Sequence, residues 1–275
     1  MPARFKLRSA HPVEDGIRAD VLAALSDIER KHEVTVLYAC ESGSRGWGFA
    51  SPDSDYDVRF IYAHRLSWYL TVDAGRDVIE LPINDALDIN GWELRKTLRL
   101  LLRSNPVLLE WLDSPIVYRA EPETLSRLQA LAVDYFSSIK GYRHYLHMAK
   151  NNFRGYLQTD SVRLKKYLYV LRPLLAVRWI EANKGQAPMR FADLASGVLD
   201  DAPLLEEIDR LLEIKMSSNE TEYSPRWPRI HAFIEQELNR LEHAPRAENP
   251  LPPGLRATLD AFLRETVLRY DAAWV

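Results

Sequence analysis

The chain has 275 residues, of which 47% are hydrophobic and 27% charged, a composition typical of a soluble globular protein with one large domain or two smaller ones. No apolar run reaches the ~18 residues that a membrane-spanning helix needs, and the first twelve residues lack the apolar stretch of a secretory signal. The single cysteine, Cys40, excludes an intrachain disulfide and a thiolate metal cluster, so we expect a cytoplasmic protein with no membrane partner.

The N-terminal part of the chain mixes helix and strand patterns. Apolar residues at helical spacing predict helices, β-branched and aromatic runs predict strands, and a stretch rich in Gly, Ser, Pro and Asp predicts a loop. In chain order these are a helix over 13–31, a strand over 34–40, a loop over 42–54, strands over 55–62, 77–83 and 86–89, a break at Asn90-Gly91, and a helix over 92–102.

The rest of the chain is helical in pattern almost throughout. The predicted helices cover 121–136, 139–158, 161–184, 201–217, 226–244 and 252–271. Pro173 is expected to end or kink the third of them. The sequence therefore predicts an α+β fold, in which a domain with a mixed sheet over residues 1–120 precedes a helical domain over residues 121–275.

Positive charge is concentrated in one stretch of a chain whose net charge is −3. Residues 140–190 contain eleven Lys or Arg against the two acids Asp160 and Glu181, a local net charge of +9. Such a stretch in an acidic chain predicts an anion-binding face. The alternative is a set of ordinary solvated helix faces with partly buried Lys and Arg stems.

Two aspartates on the second predicted strand are candidate metal ligands. Asp55 and Asp57 lie two residues apart, so their side chains leave the same face of the strand, about 6–7 Å apart at Cα. Carboxylates this close repel each other unless a cation lies between them. Mg²⁺ prefers carboxylate oxygens and completes its shell with phosphates and water, so this spacing predicts a magnesium site.

The preceding loop offers groups that bind phosphate. Its glycines, Gly43 among them, let the backbone approach a ligand closely, while Ser44 offers a hydroxyl and Arg45 a forked guanidinium. The loop lacks the Gly-Lys-Ser/Thr ending of a Walker motif. An EF-hand starting at Asp53 is disfavoured, because Val58 and His64 stand where Gly and Glu are required. The plain alternative is a glycine-rich turn beside an acidic surface strand.

The pair Gly43-Ser44, followed after ten residues by Asp55-Tyr56-Asp57, resembles the signature of the DNA polymerase β-like nucleotidyltransferase superfamily. The wider sequence is similar to the RlaP-type bacterial branch, part of which is associated with RNA repair. The segments that carry this resemblance span most of residues 35–175: Glu41–Ser51, Asp53–Phe60, Asp88–Lys96, Ser104–Pro106, Leu109–Trp111 and Lys165–Pro173.

The resemblance implies a third carboxylate on a later strand. Asp88 is the best match, with Asp85 and Asp77 as rivals, and it would act as a general base or orient the attacking group. The alternative role for Asp88 is to cap the helix predicted after Gly91. Both roles can belong to one residue.

The resemblance also implies that the helical domain closes over the triphosphate and supplies basic residues. Lys165, Tyr169 and Arg172 fall on one face of one helix, with Lys166 beside them, and are the candidates. A surface face with buried stems is the alternative. For His144 and His147, which are three positions apart, surface or packing roles are favoured over metal binding. Lys215 and Glu220 could lie at the edge of the nucleotide cleft, but the sequence does not decide their role.

These expectations together describe a metal-dependent nucleotidyltransferase. Two Mg²⁺ ions, or Mn²⁺ in their place, would lie on Asp55, Asp57 and Asp88, and a nucleoside triphosphate would be the substrate. The basic stretch favours an RNA end as the acceptor. The alternatives are transfer to a protein (AMPylation) or to a small molecule, and, from another class, a non-catalytic nucleotide-binding module, which would be expected to lack one of the strand aspartates.

Overall fold

The computed structural model describes residues 11–82, 87–219, 222–242 and 254–272. The chain forms two compact units that interleave along the sequence. The sheet unit consists of Val13–Gly43, Asp55–Phe136 and Pro250–Val275, and the helical unit of Met1–Pro12, Ser44–Ser54 and Ser137–Asn249. The predicted α+β class is confirmed. The consecutive domains that we predicted, with a boundary at 120/121, stay a prediction.

The sheet unit is built on a mixed five-stranded sheet. Its helices are α1 (Asp15–His32), α3 (Leu66–Tyr69), α4 (Leu94–Leu102), α5 (Pro106–Leu112), α6 (Pro122–Asp134) and α12 (Leu255–Ala272). Its strands are β1 (Val34–Glu41), β2 (Tyr56–His64), β3 (Val78–Glu80), β4 (Leu87–Glu93) and β5 (Val117–Ala120). The strand order is β3-β4-β2-β1-β5, with β2 and β4 parallel and the other neighbours antiparallel.

The two faces of the sheet pack against different helices. Along β2, Val58, Phe60 and Tyr62 join the hydrophobic cluster that includes α1. Ile61 and Ala63 join the cluster formed with α4, α5, α6 and α12. Because side chains alternate along a strand, the earlier odd-numbered residues of β2 leave the same face as Ile61 and Ala63.

Strand β4 corrects two predictions. It runs through Asn90-Gly91, where we predicted a break, and helix α4 begins at Leu94 instead of residue 92. A Cβ atom at Gly91 would lie 2.2 Å from the ring of Phe60, so this glycine allows close packing inside the strand. The N-cap of α4 is Glu93, whose carboxylate accepts a hydrogen bond from the N–H of Lys96. The alternative that Asp88 caps this helix is therefore wrong.

The helical unit is centred on a long buried helix. Its helices, beyond α2 (Gly43–Trp47), whose first residue belongs to the sheet unit, are α7 (Ser138–Tyr156), α8 (Leu164–Glu181), α9 (Phe191–Val198), α10 (Ala202–Ser217) and α11 (Pro228–Glu242), and β6 (Ser161–Arg163) pairs with β7 (Tyr223–Pro225). Most residues of α8 between Tyr167 and Ile180 are buried, because α7, α9, α10 and α11 all pack against it. The predicted loop over 42–54 contains α2, and the predicted helix over 161–184 begins with strand β6 and becomes helical only at Leu164. The sequence patterns missed α3, α5, α9, β5 and β7.

Pro173 lies inside α8 and does not end it, so of the two predicted effects, an end or a kink, the first is wrong. Proline has no N–H to donate to the carbonyl of the residue four positions earlier, here Tyr169. The side-chain amide of Asn152 on α7 donates to that carbonyl instead, at 3.1 Å. The neighbouring helix thus satisfies the acceptor that Pro173 leaves open.

Within the described part of the chain, no helix is both long enough and apolar enough to cross a bilayer. Asp85, a candidate third carboxylate, and Glu220, a candidate residue at the cleft edge, lie outside the described residues, as do residues 1–10.

Candidate functional site

Asp57 and Asp88 lie side by side on the parallel strands β2 and β4, where they are register partners. Their carboxylates converge on a single nitrogen, Nη2 of Arg59, at 2.9 Å from Asp57 Oδ1 and 2.7 Å from Asp88 Oδ2. Both side chains remain partly open to solvent, with exposed fractions of 28% and 31%. We call the position between the two carboxylates the cation seat. It lies on the sheet face that α4 and α12 cover further along the strands.

Gly43 lies directly against the carboxylate of Asp57. Its φ of +56° is in the left-handed region, and a Cβ atom there would lie 1.9 Å from Asp57 Oδ2. The neighbouring N–H of Ser42 donates to the carbonyl oxygen of Asp57 at 2.8 Å. The turn at the end of β1 therefore needs glycine, both for its backbone conformation and for space.

Glu41 is a buried carboxylate behind the site that the sequence analysis did not single out. Its Oε1 accepts a hydrogen bond from the N–H of Asp57 at 3.0 Å, and its Oε2 accepts one from the hydroxyl of Tyr118 at 2.5 Å. The carbonyl oxygen of Glu41 accepts a further bond from Ser114 Oγ at 2.6 Å. Glu41 could have been found from the sequence because it is a carboxylate at the last position of a mostly apolar strand, inside the segment that carries the family resemblance.

The structure brings together two of the three predicted metal ligands. Asp55 is exposed and directly precedes β2. Asp77, a rival for the third position, forms an ion pair with Lys96 at 3.0 Å. Over the described ranges, no three or more His, Cys, Asp or Glu side chains form a metal-binding group. Asp57 and Asp88 nevertheless fit a hard divalent ion, because two carboxylates already share one cation and phosphates and water can complete the shell.

The loop residues Ser44 and Arg45 belong to the helical unit and are buried there. The hydroxyl of Ser44 donates to Ser54 Oγ at 3.2 Å. The guanidinium of Arg45 donates to the carbonyl oxygens of His11 at 2.7 Å and of Ser54 at 3.0 Å. Arg45 thus holds the loop in place, and its predicted contact with phosphate stays a prediction.

The predicted basic residues of α8 occupy different environments. Arg172 is buried, donates to the carbonyl oxygen of Met189 at 3.3 Å, and lies 4.8 Å from the ring of Trp47. The ring of Tyr169 packs edge-on against Trp47, with ring centroids 5.7 Å apart. Lys166 Nζ lies 3.6 Å from the ring centroid of Tyr156. Lys165 is half-buried. The roles of these residues at a triphosphate stay predictions.

Lys215, for which the sequence did not decide a role, is buried at the end of α10. Its ammonium group donates to Ser51 Oγ, and that hydroxyl donates to the carbonyl oxygen of Lys215 at 3.1 Å. Together with Arg45, these bonds hold the 44–54 loop within the helical unit.

An exposed basic face lies on α7 instead of α8. Its members share one side of the helix at alternating spacings of three and four residues. They are Lys140, Arg143, His147, Lys150 and Arg154. Four of the five are exposed and Lys150 is half-buried. The helix carries no Asp or Glu along its whole length. We call these five residues the α7 basic face.

The model of the RlaP family, described as the RNA repair pathway DNA polymerase beta family, matches residues 17–265. The chain belongs to the RlaP family. This confirms the predicted family, and the match spans both units, including the Gly43 turn, the strand aspartates and Asp88.

Two further proteins resemble this RlaP-family chain. Uncharacterized protein YcgL of Bacillus subtilis (strain 168) is 44% identical over 247 residues, covering 90% of this chain and 95% of that protein. A structural match is the crystal structure of a nucleotidyltransferase-like protein from Exiguobacterium sibiricum 255-15. It covers 92% of this chain and 76% of that one, at 15% identity and a TM-score of 0.30.

Proposed function

We propose that this RlaP-family protein is a metal-dependent nucleotidyltransferase. It would move a nucleoside monophosphate from a nucleoside triphosphate to an acceptor hydroxyl. The new bond joins the acceptor oxygen to the α-phosphorus, the bond from the α-phosphorus to the bridging oxygen breaks, and pyrophosphate leaves. The observation that carries the proposal is the cation seat, where Asp57 and Asp88 share one positive charge at 2.9 and 2.7 Å.

The residues around the seat suit this chemistry. Two Mg²⁺ ions, or Mn²⁺, would neutralise the phosphates and activate the hydroxyl when bound. Asp57 and Asp88 would hold the metal, and Asp55 would join them from its exposed position ahead of β2. Asp88 would also orient the acceptor hydroxyl and take up its proton. The missing side chain of Gly43 leaves the room that the carboxylate of Asp57 occupies in this arrangement.

The α7 basic face supports an RNA end as the acceptor. Lys140 and Arg154 lie 14 positions apart on one helix, which corresponds to about 21 Å at 1.5 Å per residue. A row of cations of that length without intervening acids suits the regularly spaced phosphates of a nucleic-acid strand. A lone triphosphate would not need so long a face.

Transfer of label from α-labelled nucleoside triphosphate tests the reaction. Asp57→Asn and Asp88→Asn keep the side-chain shape and remove the negative charge, so each is expected to lower transfer at least about 100-fold. Asp77→Asn is the matched control, because Asp77 is a carboxylate of the same unit that pairs with Lys96 away from the seat. Circular dichroism checks the fold of each variant. Full activity in either seat variant would reject the proposal.

The acceptor is tested by offering RNA, protein and metabolite fractions and asking which takes the label. Label on protein or on a small molecule would replace the RNA acceptor with one of these. Arg154→Glu is expected to weaken RNA binding about tenfold at 0.1 M salt and to lower the salt slope by about one. Arg210→Glu, an exposed arginine on α10, is the control and should leave binding unchanged. Equal RNA affinity in both variants would remove the α7 basic face from the proposal.

A further inference from the structure

Arg59 occupies the cation seat and is anchored there by the backbone. Its Nη2 binds both carboxylates, while its Nη1 donates to the carbonyl oxygen of Asp88 at 2.8 Å and to that of Val58 at 3.1 Å. The side chain is 17% exposed. One guanidinium therefore binds two carboxylates on adjacent parallel strands, offsets one of their two negative charges, and also ties those strands together.

Neutralisation is required because the two strands bring the carboxylates side by side. Parallel neighbours lie about 4.8 Å apart, and like charges at that separation repel each other. A divalent ion bound to Asp57 and Asp88 would meet the same need with twice the charge. Such an ion would compete with the guanidinium, because Nη2 of Arg59 already draws on one oxygen of each carboxylate, Asp57 Oδ1 and Asp88 Oδ2.

We propose that Arg59 is the resident counter-ion of the seat, a positioning residue that holds Asp57 and Asp88 in place until a divalent ion displaces its Nη2. This inference rests on the proposed function, since it concerns the metal of that same site. Nη1 and Nη2 belong to one planar guanidinium, so displacement of Nη2 requires the group to pivot about the bonds from Nη1 to the backbone, which would keep the side chain beside the seat. Arg59 would then compete with the metal for the two carboxylates before the metal binds.

The competition has a measurable size. The apparent affinity for metal equals the affinity of the open seat multiplied by the fraction of molecules in which the seat is open. If the guanidinium fills the seat in about nine molecules of ten, removing it tightens metal binding about tenfold. If Arg59 had a purely structural role, removing it would give no such gain in metal affinity, because its loss would only loosen the contact between the strands.

Mn²⁺ titration of the metal-free full chain, followed by electron paramagnetic resonance, tests this. It is done with Mn²⁺ alone and again with a non-hydrolysable ATP analogue. Arg59→Gln is expected to bind Mn²⁺ at least about tenfold more tightly than the unaltered chain. Arg59→Lys keeps the positive charge but lacks the forked guanidinium that contacts both carboxylates. Its Mn²⁺ affinity is expected to lie between those of Arg59→Gln and the unaltered chain. Arg119→Gln is the matched control, because Arg119 forms a similarly exposed ion pair with Glu29 in the same unit, and it should leave the affinity unchanged.

Thermal unfolding gives a second readout. Without metal, Arg59→Gln and Arg119→Gln should both lower the melting temperature. Added Mn²⁺ should stabilise every chain that keeps Asp57 and Asp88 and should raise the melting temperature of Arg59→Gln most, because a ligand stabilises in proportion to the logarithm of its concentration over its dissociation constant. If Arg59→Gln does not fold, Arg59→Lys carries the affinity comparison.

The outcomes separate the two proposals. If Arg59→Gln binds Mn²⁺ no more tightly than the unaltered chain does, the proposed role of Arg59 is wrong and the proposed function still stands. Mn²⁺ binding that survives in Asp57→Asn, or that is missing from every variant with and without the nucleotide analogue, removes the metal site itself. In that case the proposed function fails together with the inference.

Discussion

Replacing Gly43 with alanine is the sharpest test of how the candidate site is built. The added methyl group would lie 1.9 Å from Asp57 Oδ2 and 2.7 Å from its Cγ, whereas ordinary van der Waals contact begins at 3.4 Å. The backbone is held by the bond from Ser42 N–H to the Asp57 carbonyl, so the turn cannot simply move away. We therefore expect the carboxylate of Asp57 to rotate out of the cation seat.

The magnitude follows from two separate costs. A left-handed φ of +56° at a residue with a Cβ costs roughly 1–2 kcal/mol, which lowers the melting temperature by a few degrees. The clash leaves the contact about 1.5 Å too short and must be relieved by moving the carboxylate. A displacement of about 1 Å at a reacting centre can cost about 100-fold in rate. Gly43→Ala should thus lose nucleotidyl transfer at least about 100-fold while it still folds.

Gly185→Ala isolates the first cost from the second. Gly185 also has a left-handed φ, +77°, but a Cβ atom there meets nothing within 4 Å. Both variants are compared by thermal unfolding and by transfer of label from α-labelled triphosphate. Similar losses of stability with activity lost only in Gly43→Ala would support the reasoning. Near-normal transfer in Gly43→Ala would show that the position of the Asp57 carboxylate does not matter, and would refute it.

Three further substitutions test other contacts, each by urea denaturation. Tyr118→Phe leaves an oxygen of the buried Glu41 carboxylate without its donor and should cost about 1–3 kcal/mol; an unchanged midpoint would mean that the bond contributes nothing. Gly91→Ala forces a methyl group to 2.2 Å from the Phe60 ring and should cost about 1–3 kcal/mol, and no loss would show that the ring moves freely. Burial lowers the pKa of His64 to about 4, so between pH 6.5 and about 4 the unfolded chain takes up a proton that the folded chain does not. Stability should therefore fall on acidification through that window, and less steeply in His64→Gln; parallel pH profiles would contradict this.

The sequence alone located the candidate acids but not their arrangement. Alternation along β2 predicted that Asp57 leaves the strand away from the Val58 side, and the family resemblance singled out Asp88 from its rivals. The pattern also placed a break at Asn90-Gly91, because a glycine inside a short apolar run is typical of a turn. The close approach of the Phe60 ring, which makes that glycine a strand residue, depends on a neighbouring strand that local periodicity cannot reveal.

Arg59 and Glu41 could not be assigned from the sequence for a related reason. Each acts across strands: Arg59 joins β2 to β4, and Glu41 joins β1 to β2 and, through Tyr118, to β5. A periodicity of two tells which face a side chain leaves but not which residue lies opposite, because register is set by long-range pairing. Charge alone gave Arg59 no special status among the 36 Lys and Arg of the chain.

The contacts of Asp57 show that its position is set mainly by the end of β1. Its N–H donates to Glu41, its carbonyl accepts from Ser42, and its carboxylate lies against Gly43. Asp88 is placed instead by its parallel register with Asp57. The cation seat therefore exists only when β1, β2 and β4 are all in register. A shift of one residue in the pairing of β2 with β4 would turn one carboxylate to the opposite face. Because the end of β1 holds the backbone and the carboxylate of Asp57, substitutions that disturb it should impair metal binding before they unfold the sheet.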